Sequence, residues 1–209
     1  MASRSPTREL LSREAIVRHT LTLIEIHGIA GFRLKDLADR LDVTVPNLYR
    51  HFKNRDDIVY SALTDDYIAL CAATAERIDE ITSRVSSTAD LFAVLRHGGE
   101  LPLSTSGNRR RTTRLQALAA FGSHERSDKI QAALHAVHVA IGKFFEKTQA
   151  EGFVEAHHSP RVLTLIASSI LAGIAITEVD PYIESAEKDI WTVLGTFLQA
   201  LVPSDLAAQ

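Results

Sequence analysis

LKDLADRLDVTVPNLYRHFKNRDD, residues 34–57, is the stretch around which the fold is organised. Leu34, Leu37, Ala38 and Leu41 follow the i, i+3, i+4, i+7 spacing of one buried helix face. Asp42, Val43 and Thr44 break the run. Thr44 is a good N-cap residue, its hydroxyl able to accept from an orphan N–H of the next helix. That helix is expected over Val45 to Phe52, with Pro46 in its first turn, where the missing N–H costs nothing. Leu48 and Phe52 make its inner face, leaving Thr44, Val45, Asn47, Tyr49, Arg50 and His51 outside. Two short helices, a tight turn and flanking cations describe a helix-turn-helix whose second helix reads DNA.

Upstream, Ser12 can cap a helix to about His27, with Ala15, Ile16, Leu23 and Ile24 facing inward and Gly28 at its C′ position. Residues 1–10 are polar, and Arg4 and Arg8 suit either a basic arm or a tail without a role. Downstream, Asn54 caps a helix whose first turn holds Asp56 and Asp57 at the positive end of the dipole. Between Asn54 and Gly98 there is neither Pro nor Gly. The spacing of Ile58, Leu63, Tyr67, Leu70, Cys71, Ala75, Ile78 and Ile81 predicts one long helix to about Arg84, a lever joining head to body. Further helices are expected at 88–96, 108–122, 127–152, 160–179 and 186–202. Every later proline falls at a helix start or in a gap. No segment alternates with period two between turn signals, which excludes a sheet. The fold expected is all-α: a three-helix head over 10–54 and a helical body over 55–203, about nine helices together.

The LADRLDVTVPNLYRHFKNRDDI segment resembles the DNA-binding signature of TetR-type repressors, and LSREAIVRHTLTLIEIHGIAGF resembles that family's first helix. The resemblance covers about residues 10 to 65, and LYRHF is its most specific part. It departs from the pattern at Asp42, where a turn Gly is usual, at Arg33, where a Ser or Thr usually caps the second helix, and at Arg55, where Lys usually opens the fourth. The resemblance implies a homodimeric regulator, a repressor, on a near-palindromic operator, released by a small apolar or amphipathic effector bound in the body.

Candidate DNA contacts follow from residue chemistry. Lys35, Lys53 and Arg55, with the Tyr49 hydroxyl and the His51 ring, suit phosphates. Thr44, Val45, Asn47 and Arg50 suit base edges: Asn pairs bidentately with adenine, Arg with guanine, and Val meets a thymine methyl. The family's pattern carries DNA contact to Thr44, Val45, Asn47, Tyr49 and His51. For Arg50 a solvated side chain explains the sequence as well, and for Tyr49 the alternative is packing on the first helix.

The body gives two weaker expectations. A ligand pocket could be lined by Phe92, Leu95, Leu118 and Phe121 from its earlier helices. Leu134, His138, Ile141 and Phe145 would add to it from the helix at 127–152, and Ile166, Ser169 and Ile170 from that at 160–179. Core packing explains the same residues. Separately, LTLIASSILAGIAI (163–176) is apolar nearly all round, and DIWTVLGTFLQALV (189–202) carries a stripe wider than a surface helix needs. Ile174, Trp191, Leu194, Leu198 and Leu201 are therefore expected at a two-fold homodimer interface.

Composition sets the outer limits. Among 209 residues, 45% are hydrophobic. Residues 1–55 hold 10 Lys+Arg and 6 Asp+Glu, whereas the remainder holds 13 and 20. A cationic head on an anionic body suits phosphate binding, although ordinary scatter gives the same counts. No apolar run reaches 18 residues, and MASRSPTREL lacks a signal-peptide core. One cysteine, Cys71, fits a reducing cytoplasm, either as a small buried hydrophobe or, with a lowered pKa, as a redox sensor. No metal site is expected: His135 and His138 share a helix face without a third ligand, and His157-His158 precedes Pro160 in a loop. No cofactor is expected. Arg109, Arg110, Arg111 and Arg114 suit a solvated helix start or an acidic ligand. No nucleophile elbow, phosphate loop or H-E-x-x-H motif points to an enzyme. An architectural DNA-binding protein without ligand control is the other alternative, which little sequence preference would mark.

Overall fold

The computed structural model describes the backbone of residues 11–96, 101–102, 124–177, 196 and 200–203, and their side chains except at 95, 96, 124–126 and 174–177. Among the described residues there are seven α-helices and no strand: α1 (Arg13–Gly31), α2 (Leu34–Arg40), α3 (Val45–Leu48), α4 (Arg55–Arg84), α5 (Thr88–Arg96), α6 (His124–Ala150) and α7 (Pro160–Thr177). The helices expected at 108–122 and, apart from residues 196 and 200–202, at 186–202 lie outside the described residues. The chain divides into two compact units, Met1–Asp66 and Tyr67–Gln209. The division falls within α4.

In the first unit the local rules act as expected. The Ser12 hydroxyl accepts from Ala15 N at 3.1 Å and opens α1. Gly28, at φ 69°, interrupts the helix where the sequence places its end, and one further turn follows to Gly31. Ala15, Ile16, Leu23 and Ile24 are buried, together with Phe32, Leu37, Leu48, Phe52, Ile58 and Leu63. Each of the larger side chains contributes roughly 1.5–3 kcal/mol of hydrophobic stabilisation. The one buried hydroxyl on α1, Thr20, donates to Ile16 O at 2.7 Å, so its burial leaves no orphan donor.

The turn between α2 and α3 is a Schellman closure. Val43 N donates to Ala38 O at 3.0 Å and Asp42 N to Asp39 O at 3.3 Å. Asp42 holds the left-handed position at φ 54°. An L-residue there is strained by about 1 kcal/mol, less for Asp than for most. Asp42→Gly is therefore expected to stabilise the protein by roughly 0.5–1 kcal/mol. Thermal unfolding checks it, and a lowered midpoint would mean that the interactions Asp42 makes outweigh the backbone strain.

The second unit contains the rest of α4 and α5–α7. Tyr67, Cys71, Thr74 and Ile78 form the buried stripe of this part of α4, while Leu70, Ala75 and Ile81 are half-buried. Lys147 on α6 donates to Thr82 O at 2.7 Å and Val85 O at 2.6 Å, meeting the negative end of α4 with a cation. Ser87 caps α5 by accepting from Asp90 N, and Asp90 in return accepts from Ser86 N and Oγ. Those bonds, led by the Ser86 N–H, hold the Asp90 carboxyl below its ordinary range. The sequence expectation for α6 ran to residue 152. The helix stops at Ala150 because Gly152 turns left-handed, and Phe153 N then closes onto Thr148 O at 2.8 Å. After this turn α7 packs back on α6, and Gly142 lies against Thr164. Among the described residues no helix is long and apolar enough to cross a membrane.

Candidate nucleic-acid interface

The second helix of the motif is shorter than its sequence suggests. Regular α-helix ends at Leu48 rather than Phe52. Beyond it His51 N bonds Leu48 O at 3.0 Å, and Arg50 N bonds Asn47 O at 3.3 Å. This tightened i→i+3 turn is common where a short helix ends. It still delivers Phe52 to the core, 4% exposed.

Thr44 sits at the N-cap with extended backbone, but its hydroxyl accepts from no N–H. It donates instead to Asn47 Oδ1 at 2.6 Å. The sequence expectation of a side-chain cap is corrected here: a carboxamide oxygen three residues on is the nearer partner. Outward from this pair, Tyr49, Arg50, His51 and Lys53 are exposed, as are Thr44 and, at the start of α2, Lys35. Val45 and Asn47 are half-buried. Tyr49 is 46% exposed, which disfavours the alternative of packing against α1.

Arg55 is differently placed. Its Nε and Nη2 donate to Phe32 O at 3.2 and 3.1 Å, and Nη2 also to Ile29 O at 2.6 Å. Nη1 pairs with Asp56 Oδ1 at 3.1 Å, and the guanidinium lies over the Phe32 ring. The fork faces the carbonyls that end α1, a helix with no basic residue of its own in the last turn. A cation is favoured there. Sequence reasoning missed Arg13, which pairs with Asp65 at 2.7 Å and stacks over the Phe52 ring. It also missed Arg40, whose Nε donates to His19 Nδ1 at 3.0 Å. Neither contact has a local signal, because the partners are distant in sequence.

The described members of the expected pocket differ in burial. Ile141 and Phe145 are buried, with Phe145 edge-to-face on Phe144. Phe92, Leu134 and Ile170 are half-buried. His138, Ile166 and Ser169 are exposed. Leu118 and Phe121, the side chains of Leu95 and Ile174, and Trp191, Leu194 and Leu198 lie outside the described residues, as do Arg109, Arg110, Arg111 and Arg114. Leu201 is half-buried, and its carbonyl accepts from Glu155 N at 2.8 Å. His135 is exposed, and among the described residues no three His, Cys, Asp or Glu are grouped to hold a metal ion. Burial pushes the Cys71 thiol up to about 11 and raises the neighbouring Tyr67 hydroxyl further, so Cys71 remains a neutral thiol near pH 7.

The family model for bacterial regulatory proteins of the tetR family matches residues 16–62. The match covers the helix-turn-helix head and none of the body. It is 47% identical over 45 residues to the tetracycline repressor protein class C of Escherichia coli, covering 22% of this chain and 20% of that one. A second curated repressor is matched over 45% of its length. The chain thus spans less than half of the curated relatives it matches. The fold likeness reaches further. A transcriptional regulator from Saccharomonospora viridis, in complex with choline, superposes with a TM-score of 0.68 at 18% identity, over 91% of this chain and 96% of its own. The regulator FadR of Bacillus subtilis, in complex with stearoyl-CoA, gives 0.60 at 16% identity, over 91% and 98%.

Proposed function

We propose that this chain is a tetR-family, sequence-specific transcriptional regulator, a repressor that binds a near-palindromic operator as a homodimer. The observation that carries the reading is the exposed row Thr44, Tyr49, Arg50, His51 and Lys53 over a buried Leu48 and Phe52. It combines base-reading and phosphate-binding groups at the cap of α3 and on the tight turn that follows it. Two recognition helices would sit roughly 34–36 Å apart, about one turn of duplex, or somewhat more. Arg55 serves this surface as a positioning residue, by joining the start of α4 to the end of α1.

A small apolar or amphipathic effector would favour an arrangement of the body that does not bind DNA, shifting the population away from the operator. Structural neighbours that hold stearoyl-CoA and choline support a ligand-responsive body. The influence would travel along α4, which has residues in both units.

Footprinting on the DNA upstream of the genes beside its own tests the reading. Protection of one short symmetric site is expected. Protection no stronger than on random duplex would sink it and favour an architectural role. On that site Tyr49→Ala is expected to weaken binding roughly tenfold. Lys53→Ala should weaken it across sequences and flatten the salt dependence by about one counterion. Unchanged affinity in both variants would remove the contact assignment.

A further inference from the structure

The Thr44–Asn47 bond changes what Asn47 can read. A free asparagine presents a carbonyl and an amino group side by side, the pattern that matches N6–H and N7 of adenine. In this structure the Thr44 hydroxyl donates to Asn47 Oδ1 at 2.6 Å. Nδ2 makes no hydrogen bond among the described residues. Thr44 is exposed and Asn47 half-buried, at the first turn of α3, where base contacts concentrate. The amide is thereby oriented by its neighbour, with its carbonyl turned toward Thr44 and its two N–H donors without a partner among the described residues.

We propose that Asn47, oriented by Thr44, selects guanine rather than adenine at the base pair it faces. This rests on the DNA-binding reading above and deepens it. In the major groove guanine presents two adjacent acceptors, O6 and N7, to a pair of donors. Thymine offers only O4. Adenine places its own N6 amino group beside N7, opposing a second donor, and cytosine presents a donor alone. Thr44 acts here as a positioning residue: its hydroxyl hydrogen decides which half of the Asn47 amide faces outward.

The test is selection of operators from randomised duplexes by the purified full-length protein, compared with Asn47→Ala and Thr44→Val. The position read by Asn47 is the one whose preference disappears in Asn47→Ala. There the wild type is expected to take guanine over adenine by about tenfold. Thr44→Val keeps the shape and removes the hydroxyl, so the amide can turn and the ratio is expected to move toward adenine by a similar factor. A merely structural Thr44 would weaken all sites equally and leave the ratio untouched, which would overturn the proposal. So would an adenine preference in the wild type, with operator binding itself intact. Absence of any enriched sequence would overturn the regulatory reading and this inference with it.

Discussion

Arg55→Ala is expected to destabilise the protein by about 2–3 kcal/mol, most of it in the head, and to abolish operator binding only as a consequence. Its guanidinium donates to the Ile29 and Phe32 carbonyls at 2.6–3.2 Å and covers the Phe32 ring. Hydrogen bonds from a charged donor contribute roughly 1.5–3 kcal/mol, and truncation leaves the terminal carbonyls of α1 short of a partner. Its side chain is 35% exposed, so water recovers part of the loss. Lysine would restore the charge but not the fork, and Arg55→Lys should fall between the two. For a chain of this size the alanine variant should melt roughly 4–10 °C lower. A direct phosphate contact predicts the opposite pattern, with the melting temperature unchanged and the salt dependence of binding reduced. That result would return Arg55 to the DNA surface.

Arg55 also shows where sequence reading stops. Its charge and its place at a helix start were legible, and both fit a phosphate. The carbonyls that it meets lie more than twenty residues earlier and become partners only once α1 has turned at Gly28. Signals that act within one turn were legible: Ser12 and Asn54 as caps, Gly28 as a terminator, Asp42 in the left-handed position. The buried stripes of α1, α2 and α4 were also legible, because a polar face opposes each apolar one. Thr44 was harder. Its position as N-cap followed from Pro46, but its hydroxyl had two local acceptor or donor choices, and the carboxamide of Asn47 prevails.

In α7 the limit is different in kind. A helix apolar nearly all round has no polar face to fix its rotation, so Ile166 and Ser169 could not be assigned to a side. The packing against α6 buries Leu163 and leaves Val162, Leu165 and Ile166 outward. Under the homodimer reading these outward apolar groups belong with the expected interface.

Leu165→Glu is accordingly expected to convert the proposed dimer to single chains and to lower operator affinity about a hundredfold or more. Val162, Leu165 and Ile166 are 53%, 66% and 49% exposed, spaced i, i+3, i+4 along one side of α7. At a two-fold axis each substitution is made twice, so two buried carboxylates would oppose one another and the apolar gain would be lost. Because Leu165 points away from the core of its own unit, the isolated chain should keep its helicity by circular dichroism. Sedimentation velocity should then give one chain's mass at micromolar concentration. The loss on DNA follows from geometry: a head that binds one half-site alone forfeits the effective concentration by which its tethered twin binds the second. The same variant on a single half-site should bind as the wild-type head does, since no contact to DNA has changed. A dimer that survives the substitution with full operator affinity would place the interface on another face and leave the outward stripe of α7 without this role.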